Sequence, residues 1–342
     1  MSRWRKVAVM IGLVALLAEA AALSLATGPA SVPPGRAMRI LLTPLPGLHG
    51  LAPEATVIER AVVLEVRLPR LLLGLLVGAA LAVAGVVMQA LFQNPMAEPS
   101  IIGVSSGAAL GATIALVLGG VLPWLGGVSL PIFAFAGALG TSALVYILAR
   151  RGGRTPVGLL LLTGIAVGSL CSAIASLILV QGKNGQVTDV VFWMMGSVAY
   201  QGWKEVRMIL PYAILGSCFA YAYARDLNAL LLGDEQAAFL GIPVERVKLL
   251  LLACGALLAG AAVAVAGIVG FVGLVVPHLM RLLLGPDHRL LLPASFLAGG
   301  LVVTVAALVA TMLGAVPLGI ITSLLGAPFF LYLLHRQGKY RF

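Results

Sequence analysis

Residues 225–248, RDLNALLLGDEQAAFLGIPVERVK, gather four carboxylates and three cations in a chain that is otherwise almost wholly apolar. Their spacing predicts a capped helical hairpin. Asp234 is placed to accept from the free backbone N–H groups of a helix starting at Glu235. Gly241 is placed to close that helix in the left-handed conformation, and Pro243 to sit in the first turn of a second helix. Such a segment is too polar for lipid and too short for a domain. Its chemistry is that of a grip, where a separate subunit that performs the work takes hold.

No other constellation offers catalysis. The patterns G-x-x-x-x-G-K-[ST] and H-E-x-x-H are absent, and His49, His278, His288 and His335 lie far apart in sequence. The chain is therefore not expected to hydrolyse ATP. Cys171, Cys218 and Cys254 sit inside apolar stretches without metal-ligand spacing and are read as small core residues with no disulfide. No catalytic residue, resident metal or bound cofactor is expected.

The scaffold that must position the grip follows from composition. Hydrophobic residues make up 61% of the 342 residues, charged residues 10%, and the mean hydropathy is +1.09. These values place the chain in the lipid bilayer. The net charge of +10 raises nucleic acid as a partner, but the basic residues stand singly or in threes between apolar runs and form no stripe with aromatics. They are read as topology determinants, with no nucleic-acid partner. At about 20 residues per crossing of a roughly 30 Å core, ten transmembrane helices are predicted: 6–27, 71–91, 102–122, 128–149, 157–179, 206–224, 249–267, 270–284, 290–313 and 317–334. The eighth is short. It is expected to tilt into protein or to continue a non-helical stretch buried by its neighbours. The fold class is all-α, a polytopic membrane bundle with a single domain over 1–342 and the hairpin 225–248 on its inner side.

An even number of spans puts both termini on one side. With the termini inside, the inner segments hold fourteen Lys and Arg and the outer segments eight, so the N- and C-termini are assigned to the cytoplasm. The chain begins like a signal peptide, with Arg3, Arg5 and Lys6 before an apolar run. The run is of spanning length and no small-x-small site closes it, so it is kept as the first helix. The outer segment 28–70 is rich in Pro and Gly, and 34–42 is read as a short interfacial helix. Gly74 and Gly78, then Gly103, Gly107 and Gly111, then Gly164 and Gly168 recur every four residues, the spacing that lets membrane helices approach closely. Glu19 is the clear intramembrane acid, and one acid without a partner is a poor proton relay. This weighs against an ion-coupled secondary transporter working alone, the alternative from another functional class.

Six stretches carry a family resemblance, in order: RLPR at 67–70, GAALAVAGVVMQALFQNPMAEPSIIGVSSGAALGA at 78–112, WMMGS at 193–197, LGDEQAAFLGI at 232–242, GFVGLVVPHLMR at 270–281 and PLGIITSLLGAPFFLYLL at 317–334. From about Arg67 onward the chain resembles the iron-siderophore, haem and vitamin B12 permease family of bacterial ABC importers. The resemblance implies ten helices per subunit and a homodimer with a second copy of itself in the bacterial inner (cytoplasmic) membrane. It also implies two separate ATP-binding subunits that hold ATP and Mg, and a periplasmic substrate-binding protein that delivers a chelate. The path would run between the two subunits, lined largely by the fifth helix.

The same resemblance assigns residues. Leu232, Gly233, Asp234, Glu235, Ala237, Leu240, Gly241, Ile242 and Glu245 match the hairpin that couples to the ATPase. Asn94, Pro95 and Met96 match the loop that closes the path at its cytoplasmic end, with Val157 and Gly158 as a second part of that gate. Arg67 and Arg70 match outer arginines that pair with acidic residues of the binding protein. Thr304, Leu308 and Ala315 stand where the family often has Asp, Arg and Glu, so docking is expected to lean on Arg67, Arg70 and Arg207. The implied cargo is an iron chelate, haem ahead of ferric siderophores and cobalamin third. No residue ligates iron convincingly, since His278 belongs to the P-H-x-x-R motif and His49 to an outer loop.

Overall fold

The computed structural model describes residues 3–28, 30, 32–43, 54–118, 129–182, 184–199 and 201–337. The expected helix ends at 119–122 and 128, His49, Lys183, and Lys339 and Arg341 lie outside the described residues. Fifteen α-helices occur among those described: α1 Arg3–Ala26, α2 Pro34–Leu42, α3 Val57–Ala61, α4 Leu68–Leu91, α5 Val104–Leu118, α6 Ser129–Ala149, α7 Val157–Val180, α8 Asn184–Met194, α9 Trp203–Ala222, α10 Ala224–Leu230, α11 Asp234–Phe239, α12 Val244–Ala266, α13 Val272–Leu284, α14 His288–Met312 and α15 Leu318–Gln337. The described residues form no strand. Among the described residues, six helical segments are long and apolar enough to cross a membrane, and the pair α9 and α10, bent by 58°, makes a seventh if taken as one span. Val104–Val117, Val272–Leu284 and Leu318–Tyr332 are apolar but shorter.

The centre of the bundle is α4, buried along almost its whole length among α9, α12, α13 and α14. Its apolar residues run all round the helix, as burial on every side requires. Glycine brings the backbones together. A methyl group on Gly78 would stand 2.1 Å from the Gly299 carbonyl oxygen of α14, and one on Gly107 of α5 would stand 2.3 Å from that of Gly137 on α6. Where lipid removes the hydrophobic drive between helices, such close packing holds them. By contrast α7 buries a single stripe, Leu160, Gly164, Val167, Cys171 and Ala175. Its other face, with Leu162, Ile165, Leu170 and Leu177, is exposed.

Local chemistry moves several boundaries. The second span begins well before 71, because Thr56 and Glu59 form a capping box. Glu59 N–H donates to Thr56 Oγ1 at 3.1 Å and Thr56 N–H to Glu59 Oε2 at 2.8 Å. From there the helix runs through a π turn, Val62–Arg67, into α4. The wider turn accommodates Pro69, which has no N–H to return to the preceding turn. The sixth span breaks at Tyr223. The stretch before α9, left as loop by hydropathy, contains α8, and Gln186 Nε2 donates to Val117 O at 3.1 Å to hold it against α5. The short eighth span is α13, preceded by a non-helical stretch at 267–271 in which Phe271 takes φ +65. The helix expected at 34–42 is α2, tied by Arg36 to Glu59 at 2.6 Å. Cys218 is exposed, contrary to its reading as a core residue, because it lies on the outward side of α9; Cys171 and Cys254 are buried.

Candidate functional site

The hairpin at 225–248 is built from α10, α11 and the start of α12. Leu232 N–H donates to Ala229 O at 3.0 Å and Gly233 N–H to Leu230 O at 3.1 Å, which turns the chain out of α10. At the far end of α11, Gly241 N–H donates to Ala238 O at 2.9 Å and Ile242 N–H to Ala237 O at 3.2 Å. With Gly241 at φ +82, this is the Schellman closure expected of a glycine at that position. Asp234 does not cap the helix. Gly233 occupies the N-cap, and Asp234, in the first turn, pairs instead with Lys248 of α12. Lys248 is buried and the carboxylate is exposed, so the charge that most needs a counter-ion has one. Pro243 is the N-cap of α12, one residue ahead of its first turn.

Ala237 points inward and is fully buried, while Leu232 is 62% exposed, Leu240 65% and Phe239 91%. The outer edge of the hairpin is thus apolar. Phe239, not singled out from sequence, had a signal: it lies two residues beyond Ala237, on the opposite side of a helix. Asn228 of α10 donates to Asp287 at 2.8 Å and accepts from His288 N–H at 2.8 Å, fastening the hairpin to the cap of α14. The Asn228 amide also holds the Asp287 carboxyl below the usual carboxylate range. Lys6, Leu232 and Asp287 line a recess of about 700 Å³ beside this cap.

The loop after α4 reverses at Gln93, which takes φ +47. Asn94 Oδ1 accepts from Met96 N–H at 2.9 Å, and Asn94 O accepts from Ala97 N–H at 3.0 Å. Asn94 is exposed, Pro95 and Met96 half-buried. The chain then forms a 3-10 turn, Pro99–Ile102, and the Ile101 carbonyl packs against Gly164 of α7. Val157, half-buried, and exposed Gly158 begin that same helix. The packing thus joins α7 to the turn that follows the loop, and no hydrogen bond joins Asn94–Met96 to Val157 or Gly158 among the described residues.

At the other end of α4, Arg67 departs from expectation. It is 4% exposed and donates to Leu25 O at 2.7 Å, Ala26 O at 2.9 Å and Ala30 O. The end of a helix leaves carbonyls without helical partners, and Arg67 satisfies those at the end of α1. Its position is that of an internal tie, not of a rim charge. Arg70 is half-buried and donates to Ala199 O. Arg207 is exposed in α9, its Nε donating to Trp203 O at 3.2 Å. Thr304 and Leu308 line the small recess that Arg67 and Arg70 share, so no carboxylate from these positions competes with the carbonyls. Ala315 sits at φ +64 between α14 and α15. His278 is buried in α13, and no group of three or more His, Cys, Asp or Glu among the described residues has the arrangement to hold a metal ion.

Residues 15–336 match the FecCD transport family. The chain is 47% identical over 276 residues to the cobalamin import system permease protein BtuC of Halobacterium salinarum, covering 80% of this chain and 73% of that one. It is 44% identical to the hemin transport system permease protein HmuU of Yersinia pestis, over 81% of this chain and 84% of that one. A solved structure of a metal-chelate type ABC transporter in an inward-facing conformation superposes with a TM-score of 0.83 at 32% identity, covering 96% of this chain and 99% of that one. A second, PsaBC from Streptococcus pneumoniae, shares the fold at a TM-score of 0.55 and 16% identity, over 78% of this chain and 90% of that one. A family match over residues 15–336 and relatives of this identity and coverage place the chain in the FecCD transport family of ABC-importer membrane permeases.

Proposed function

We propose that this chain is the membrane half of an ATP-driven importer that moves a metal chelate, haem in the first instance, from periplasm to cytoplasm. The observation that carries the reading is the hairpin: a rigid, ion-paired and capped element whose outer edge exposes Leu232, Phe239 and Leu240. An apolar edge on an otherwise polar, stiff element suits a groove in a partner protein. In the proposed assembly two ATP-binding subunits, holding ATP and Mg, seat on the hairpins of two copies of this chain. ATP binding shifts the hairpins, the loop at 94–96 opens, and cargo leaves inward. A periplasmic binding protein docks at the outer end through Arg70 and Arg207, with Arg67 supporting that surface from beneath. Each copy crosses the bacterial inner membrane ten times with both termini inside; the six long spans, the bent pair and the three shorter apolar helices support that number.

The exposed face of α7 supports haem as cargo. Ser169, Ser172 and Ser176 donate to carbonyls one turn back at 2.9, 3.0 and 2.9 Å. The face therefore offers mainly Leu162, Ile165, Leu170 and Leu177 to what passes. A macrocycle with two apolar faces slides over such a wall, whereas the many amides of a corrinoid find few partners there. A second reading, cobalamin, rests on the identity to the Halobacterium permease. Competition in liposomes carrying the permease, its ATPase and its binding protein separates them. ATP-dependent uptake of hemin that excess cobalamin leaves untouched supports haem; uptake of cobalamin alone supports the second reading.

A further inference from the structure

We propose that Gln93 is a positioning residue that links movement of the hairpin to the loop at 94–96. This rests on reading the hairpin as the motor contact and the loop as the gate. Gln93 Nε2 donates to the Leu230 carbonyl oxygen at 3.1 Å. Leu230 ends α10 and is 1% exposed, so it moves only with the hairpin's base. Its carbonyl also accepts the Gly233 N–H, at 3.1 Å, that turns the chain toward α11. One oxygen thus receives both the hairpin turn and the gate loop. Among the described residues, the other side-chain hydrogen bonds leaving α10 and α11 run to α12 through Lys248 and to the cap of α14 through Asp287 and His288. Neither leads to the gate.

The backbone at position 93 fits this role. A non-glycine residue at φ +47 is held in a conformation with an energetic cost, and it sits immediately before the Asn94–Met96 turn. The side-chain bond fixes that reversal to the hairpin. Gln93 is exposed, so water can replace the carbonyl when α10 shifts. Such a contact can be made and broken within each cycle, which suits a link between two moving parts better than a buried tie does.

The test uses the permease assembled with its ATPase in liposomes, with Met96→Cys in a Cys218→Ser background and a thiol-reactive maleimide as reporter. ATP is expected to change the labelling rate at position 96. Gln93→Glu, nearly isosteric but without the donor, should reduce that ATP-dependent change about fivefold, the factor that one ordinary hydrogen bond contributes to a two-state equilibrium. Gln93→Gly removes the side chain while relieving the positive φ, and should reduce it equally; it serves if the Glu variant assembles poorly. Gln93→Lys, which restores a donor, should recover the response. Co-purification with the ATPase should be unchanged throughout. A full ATP response in both Gln93→Glu and Gln93→Gly would overturn the proposal, and loss of ATPase association in every Gln93 variant would assign the residue to hairpin folding instead. No ATP response in the Met96→Cys protein itself would overturn the gate reading, and this proposal with it.

Discussion

Lys248, buried at the start of α12, holds the exposed carboxylate of Asp234 on α11. The pair fastens the hairpin to the helix that carries it into the bundle. Asp234→Ala leaves a buried ammonium without its counter-ion and should destabilise the hairpin by about 2 kcal/mol, less than for a fully buried pair because the carboxylate faces water. Protease nicking within 231–243 should rise while the bundle stays folded. Unchanged nicking would mean that the Schellman closure and Ala237 hold the hairpin unaided.

Gly241 makes a separate prediction. A side chain there meets nothing within 4 Å, so any effect of substitution is conformational. Gly241→Val forces a β-branched residue into φ +82 at a cost of about 1–3 kcal/mol. ATP hydrolysis should continue while uptake per ATP falls, and Gly241→Asn, which tolerates this conformation, should be milder. Equal coupling in Gly241→Val and the parent would remove the hairpin from the transmission path.

The outer arginines should separate by measurement. Arg67→Met abandons two carbonyls at the end of α1 and that of Ala30 beyond it and should cost about 3 kcal/mol, seen as a lower Tm and proteolysis near 27–34. Arg207→Glu touches an exposed side chain and should leave Tm alone. It should slow capture of the binding protein and flatten the salt dependence of association. A docking defect in Arg67→Met at unchanged Tm would restore Arg67 to the rim.

At the loop, Met96→Ala should open a leak. The side chain is half-buried at a turn fixed by Asn94, so truncation leaves the helices packed. Liposomes holding permease and ATPase without nucleotide should lose a small trapped dye faster than those with the parent protein. A tight, correctly assembled variant would move the seal to Val157 and Gly158.

Much of this was legible in the sequence because the determinants are local or uniform. The all-round apolar run of α4, the Pro and Gly that bound α2, and Gly241 ahead of Pro243 each announce their structure within a few residues. Thr56 and Glu59 likewise spell a capping box, which hydropathy windows pass over. What was not legible depends on distant partners. Gly233 and Asp234 both suit an N-cap, and Lys248, 14 residues on, decides between them. Whether an arginine at the head of a helix serves a partner or its own chain depends on carbonyls about 40 residues away, and no spacing rule reports them. Helix α8, 11 residues long and opening on the polar run NGQVTD, is too short to register as a span and so reads as loop.

The claim that this permease is powered through its hairpin by a separate ATPase meets its sharpest test in transport itself. Hemin and cobalamin uptake would be followed in liposomes holding the permease with its binding protein, with and without the ATPase, under ATP and under imposed proton or sodium gradients. Uptake only when both ATPase and ATP are present, abolished by Phe239→Asp at the exposed hairpin edge, is the expected result. Uptake by the permease without the ATPase, driven by either ion gradient, would contradict it.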